Sequence, residues 1–136
     1  MKAREPEKSA AKVVIAVIIV VLLLGGLGVY YFVLAPRFSI VEWSHDNTPL
    51  PVSITDWKYG FTVTVKNAGV LGGATTIVCD FAYTNATQVT YSFEGELRVS
   101  LNSGEQGDFE INVLLPWDDA VLSTLTQNKS WSVHLS

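Results

Sequence analysis

Few residues in this chain could do chemistry. Its 136 residues include two histidines, one cysteine and thirteen acids. A nucleophilic triad needs a Ser or Cys, a His and a carboxylate brought together. His45 and His134 stand near the two ends of the region after residue 37, so they meet only if its first and last strands are neighbours. Otherwise they read as exposed surface histidines. A copper site needs a Cys with His and Met close by in one loop, but Cys79 has no His near it and the only Met is Met1. Zinc wants three or four His or Cys ligands, and the chain offers three scattered ones. Calcium is the least implausible ion, with Asn102, Glu105 and Asp108 in one turn and Asp118-Asp119 in another. No spacing there matches a calcium loop, and acids in turns read as solvated. The remaining acids are too dispersed to single out a glycosidase pair. The expectation is a protein that is not an enzyme, with no catalytic residue, no bound metal and no cofactor.

Two kinds of residue point to contact rather than reaction. Asn85-Ala86-Thr87 and Asn128-Lys129-Ser130 are glycosylation sequons in turn-like stretches, open to an oligosaccharide transferase if they face out of the cell. Four tryptophans are many for a region of this size. Trp43 and Trp131 fall in alternating runs and read as core, whereas Trp57 and Trp117 flank loops and are candidates for an exposed interaction patch. Cys79 sits inside a β-type run and reads as a buried small apolar residue, with an intermolecular disulfide as the lesser reading. A single cysteine excludes an internal disulfide.

The element that must position all of this is Val13–Ala35, VVIAVIIVVLLLGGLGVYYFVLA, which carries no charge. At ~1.5 Å of rise per residue it is long enough for a bilayer core of ~30 Å. It is longer than the apolar stretch of a secretory signal peptide, and Pro36 follows the only small-x-small site, Val33-Leu34-Ala35. A domain this small could not cover such a helix on all sides. The expected partner of residues 13–35 is therefore the lipid bilayer. Lys2, Arg4, Lys8 and Lys12 precede the run, against Glu5 and Glu7, and Arg37 stands alone after it. The positive-inside rule then places residues 1–12 as a disordered cytoplasmic tail and residues 38–136 outside, with Tyr30, Tyr31 and Phe32 at the outer headgroup layer. Gly25, Gly26 and Gly28 lack the G-x-x-x-G spacing of a helix-pairing motif.

The positive mean hydropathy of +0.30 comes from this run. From Phe38 onward four bases face eleven acids, leaving about −7 on the outer domain. Such a surface repels nucleic acid and anionic headgroups, so no nucleic-acid partner is expected.

Ser39–Ser44 alternates apolar with polar residues, and Val52–Trp57 is a possible short edge strand among prolines. In Tyr59–Asn67, Phe61, Val63 and Val65 alternate with Thr62, Thr64 and Lys66, which makes one face buried and one wet. Ala74–Tyr83 puts Ile77, Cys79, Phe81 and Tyr83 on one face. Gln88–Phe93 and Glu96–Leu101 are strand-like on either side of a break at Glu94-Gly95, and Phe109, Ile111 and Val113 mark another strand. Pro116-Trp117-Asp118-Asp119 starts a short helix ending near Leu125, with acids in its first turn. Ser130–Leu135 closes the chain. Seven or eight short strands at this spacing predict an all-β, antiparallel β-sandwich behind one N-terminal transmembrane helix.

The stretch Phe61-Thr-Val-Thr-Val-Lys-Asn67-Ala-Gly69, with Leu101-Asn-Ser-Gly104-Glu105 further on, resembles CARDB-type immunoglobulin-like domains of bacterial and archaeal surface proteins. The resemblance covers about Tyr59 to Leu115, and the connection Pro116–Asn128 is longer than in that family. It implies an Ig-like fold for adhesion or interaction, with no catalytic machinery, and another membrane or surface protein as partner. A leader, an apolar helix and a β-rich head also resemble pilins. The acid and glycine of bacterial type IV pilins are missing between Ser9 and Val17, which leaves an archaeal pilin-like filament subunit as the second reading. An extracellular solute- or calcium-binding module is the third.

Overall fold

The computed structural model describes the backbone from Arg4 to Ser136, and the side chains there except those of residues 4–9, 32 and 33. The chain divides into two units, 1–35 and 36–136.

The first unit is a helix, α1 (Arg4–Val29), running on through one wider turn at Tyr30–Leu34. Its segment Ala10–Val29 has 20 residues, a mean hydropathy of 2.8 and no buried share, so it is long and apolar enough to cross a membrane. A helix that is apolar all round is of the kind that ends up buried, in protein or in a membrane. It stops where it must. Ala35 precedes a proline, whose ring excludes the helical conformation from the residue before it, and Ala35 is extended at φ −55°, ψ 146°. The expected disordered tail is corrected from Arg4 onward, because Arg4–Lys12 continues α1. Glu, Lys and Ala are good helix formers, and an adjoining helix supplies the nucleus they need. Met1–Ala3 and the Phe32 side chain lie outside the described residues.

The second unit is built by alternation. Its strands are β1 (Phe38–His45), β2 (Leu50–Pro51), β3 (Asp56–Asn67), β4 (Gly73–Thr84), β5 (Thr90–Leu101), β6 (Gln106–Pro116) and β7 (Lys129–Leu135), with helix α2 (Trp117–Leu125) between the last two. All pairings are antiparallel. In one sheet β6 lines β3 along its length, so β1 and β2 share the other edge of β3. The second sheet has the order β5-β4-β7. Tyr59, Phe61, Val63 and Val65 of β3 and Ile77, Cys79, Phe81 and Tyr83 of β4 are buried in one core shared by both sheets. This is the sandwich-like, antiparallel β architecture that the period-2 patterns imply.

Three expectations need correction. Val52–Trp57 is not an edge strand. The sheet edge there is only Leu50–Pro51, Val52–Thr55 turns, and Asp56 and Trp57 already belong to β3. The break at Glu94-Gly95 is absent, and β5 runs through it, with Gly95 opposite Cys79. A glycine is needed there for space. A Cβ on Gly95 would collide with the Asn112 carbonyl of β6, on the facing sheet. Trp43 is not core. A bulge between Ile40 and Glu42 shifts the register of β1, and Trp43 remains 39% exposed at the edge. Trp131 does pack against the core. It also stacks on His45 at 4.0 Å and 7°, closing the side where β1 meets β7.

Candidate interaction site

The registers sort the loops into two ends. Phe38 pairs with Asn67, and Gly73 with Leu101, so these mark the end where the chain comes in from Pro36. Asp56 pairs with Pro116, Thr84 with Thr90 and Tyr83 with Lys129, which mark the opposite end. Helix α2, the turn Val52–Thr55 and both sequon asparagines, Asn85 and Asn128, belong to that opposite end.

Helix α2 is oriented against the usual rule. It buries Ala120 and Ser123, and leaves Trp117, Val121, Leu122 and Leu125 exposed. Two tyrosines from the two sheets fix it this way. The Tyr59 hydroxyl donates to Ser123 Oγ at 2.8 Å, and Ser123 passes its own hydrogen to the Ala120 carbonyl. The Tyr83 hydroxyl donates to Asp119 Oδ1 at 2.5 Å. Burial, then the bond to the Asp119 carboxylate, pushes the Tyr83 hydroxyl well above the ordinary tyrosine range. Burial raises Tyr59 as well, against a smaller opposing effect of Ser123. Both tyrosines therefore stay protonated donors at neutral pH.

The exposed residues gather around Trp117. Its backbone N–H donates to the Thr55 carbonyl at 2.9 Å, bringing the turn at Ile54 against the start of α2. Ile54, the most exposed large apolar residue of the domain at 94%, lines an open cleft of about 550 Å³ with Thr55, Pro116, Trp117 and Asp118. A second cleft, of about 350 Å³, lies between Trp117, Asp118, Val121 and Leu122. Asp118 lines both, and its carboxylate has no hydrogen-bond or ion-pair partner among the described residues. Of the two tryptophans expected in a patch, only Trp117 is exposed. Trp57 is half-buried against the core, because it follows the inward parity of Tyr59 and Phe61. Ile54, Val121, Leu122 and Leu125 were not anticipated. Their signal was the pair Ala120 and Ser123, small residues on the face opposite an apolar stripe.

The other candidates separate. His45 points its Nδ1 to the Asp46 carbonyl at 2.9 Å, so that nitrogen carries the hydrogen. His134 lies 3.4 Å from Asp80 at the surface, on the strand that pairs with β4. The two histidines are not brought together as a pair. Cys79 is buried, and burial, then the neighbouring Asp80, pushes its thiol up to about 12. Such a thiol is inert at neutral pH. Glu105 is engaged by Asn102 at 3.1 Å, and Asp108 by Thr64 at 2.5 Å. Among the described residues no group of three or more His, Cys, Asp or Glu is placed to hold a metal ion.

Asn67 was read only as a turn former, and it does more. Its Oδ1 accepts from the Arg37 and Gly69 N–H groups at 3.0 and 2.9 Å, while Nδ2 donates to the Leu71 and Leu101 carbonyls at 2.9 and 3.2 Å. Fully buried, it ties the incoming chain to the ends of β3 and β5.

No family model matches the chain, and no curated protein matches it. Among solved structures, the β-D-glucoside glucohydrolase of Trichoderma reesei is similar at a TM-score of 0.43 and 17% identity, over 57% of this chain. The β-glucosidase DesR of Streptomyces venezuelae is similar at 0.43 and 21% identity, over 74% of this chain. This chain spans only 13% of each of those. The ApaA protein of Bordetella pertussis gives 0.34 and 17% identity, over 62% of this chain and 70% of that one. Likenesses this weak bear on neither activity nor binding.

Proposed function

We propose that this protein is a single-pass membrane protein that holds an Ig-like β-sandwich outside the cell and works by protein–protein contact, as an accessory or cell-surface subunit, without catalysis. The observation that carries the reading is the pairing of an uncovered apolar helix, Ala10–Val29, with a domain that leaves an apolar helix face exposed at the end remote from Pro36. Charge supports the orientation, since Lys2, Arg4, Lys8 and Lys12 precede the helix and acids dominate after it. Tyr30 and Tyr31, both exposed and with rings 5.4 Å apart, suit the outer interface. In this reading Asn85 and Asn128 face the compartment where glycans are added.

The test is intact mass and N-terminal sequence of the protein from its native membrane, together with photo-crosslinking from position 125. An uncut N-terminus and a crosslink to one other membrane or surface protein are the expected results. A cut near Ala10–Lys12 with crosslinks between identical chains would replace this reading with a filament subunit. A cut after Ala35 would make the domain a free secreted one.

A further inference from the structure

We propose that the outward face of α2, together with Ile54, seats a cationic amphipathic segment of another protein, one presenting apolar side chains at helical spacing beside a Lys or Arg. This rests on the contact function proposed above and names the chemistry of the partner. The apolar part of the argument is the stripe Trp117, Val121, Leu122 and Leu125, continued by Ile54 across the first cleft. Burying such side chains is favourable in proportion to the area covered, whatever the partner. The sign of the partner's charge comes from Asp118. It lines both clefts, so anything covering them takes its unpartnered carboxylate out of water. Taking a carboxylate out of water opposes binding. The N-terminal turn of α2 compensates Asp118 only in part, whereas a Lys or Arg beside it offsets more of that cost. Asp119, partly exposed on the same turn, and Asp56, one rung away opposite Pro116, add to the negative field. Lys58 is the nearest base along β3, and Lys129 holds its Nζ 5.8 Å over the Trp131 ring.

The same charges disfavour the alternatives. A second copy brings another domain of about −7 against this one. An anionic lipid surface meets the same acids.

The experiment uses the full chain in phosphatidylcholine nanodiscs and two fluorescent peptides with the same leucine spacing, one carrying lysines and one glutamates on the polar face. The lysine peptide is expected to bind at least about tenfold more tightly than the glutamate peptide, a difference that shrinks with salt. Asp118→Asn and Leu125→Asp are each expected to weaken binding about tenfold. Leu125→Asp is informative because it adds attraction for a cation while removing apolar contact. Glu94→Gln with Glu96→Gln removes two exposed charges from the outer face of β5 and is expected to leave binding within about twofold. The proposal is overturned if that double variant loses as much as Asp118→Asn, since attraction would then be general to the acidic surface. It is equally overturned if both peptides bind alike, if empty nanodiscs bind the lysine peptide as well, or if the chain forms dimers sensitive to Leu125→Asp. Leu122→Ser, a milder change on the same stripe, repeats the test should the aspartate variant misfold. A reversed membrane topology would end the cell-surface reading and leave this binding result standing; loss of peptide discrimination would end this inference alone.

Discussion

Asn67 shows how much one buried polar side chain can hold. Its four side-chain hydrogen bonds all go to backbone groups, and those to the Gly69 N–H and the Leu101 carbonyl are buried. Asn67→Ala leaves buried groups unpaired, so urea unfolding should show a loss of at least about 2 kcal/mol with an unchanged slope. Asn67→Asp should be no milder, because a carboxylate cannot donate to the Leu71 and Leu101 carbonyls. Gly95 makes the opposite kind of demand, for empty space. Gly95→Ala forces a Cβ onto the Asn112 backbone, which cannot yield as a flexible side chain would, so a drop of about 1–3 kcal/mol is expected. Neither role was legible in the sequence. Asn67-Ala68-Gly69 looks like any turn, and a glycine amid strand residues looks like a break, because both roles depend on partners distant in the chain.

At the scale of elements, β3, β4, β6 and β7 were legible, whereas β5 read as two pieces and the short edge at Leu50–Pro51 was misplaced. Phe61, Val63 and Val65 alternate cleanly, and β3 forms where they do. In β1 the bulge after Ile40 brings Trp43 opposite Val63, a change of parity that no alternation rule could anticipate. Trp43 stays partly exposed because β1 is an edge strand. Helix α2 formed where Pro116 and the two following acids suggested, but which face it buries is decided elsewhere. Tyr59 is 64 positions from Ser123, and Tyr83 is 36 from Asp119. Because these two hydroxyls hold α2, the double variant Tyr59→Phe/Tyr83→Phe should speed amide exchange across Trp117–Leu125 while the β4 amides stay protected. Asp119→Asn alone should lower stability by about 1–2 kcal/mol, by weakening a charge-assisted bond. Leu125→Ser should change stability by no more than about 0.5 kcal/mol, because 78% of that side chain is already in water.

For the whole molecule, the β domain stands on its core without a disulfide, since its one cysteine is free and buried. Reducing agents should therefore leave Tm unchanged. Alkali should not. Tyr59, Cys79 and Tyr83 are all raised in the folded state, so the native domain holds these protons more tightly than the unfolded chain. Their contribution is fully present below the unfolded values of about 9–10 and is lost as pH rises through the folded ones. Tm should fall as pH climbs above about 9, and less steeply in Tyr83→Phe, measured against the variant's own neutral-pH value.

The inert thiol also makes membrane sidedness directly measurable. Cys79 should not react with a maleimide at neutral pH, so Glu96→Cys and Glu5→Cys can each be labelled without background. In intact cells, a membrane-impermeant maleimide should label Glu96→Cys fully and reach Glu5→Cys only after the membrane is opened. Labelling of Glu5→Cys alone in intact cells would contradict the account, placing the β domain, its sequons and the face of α2 inside the cell.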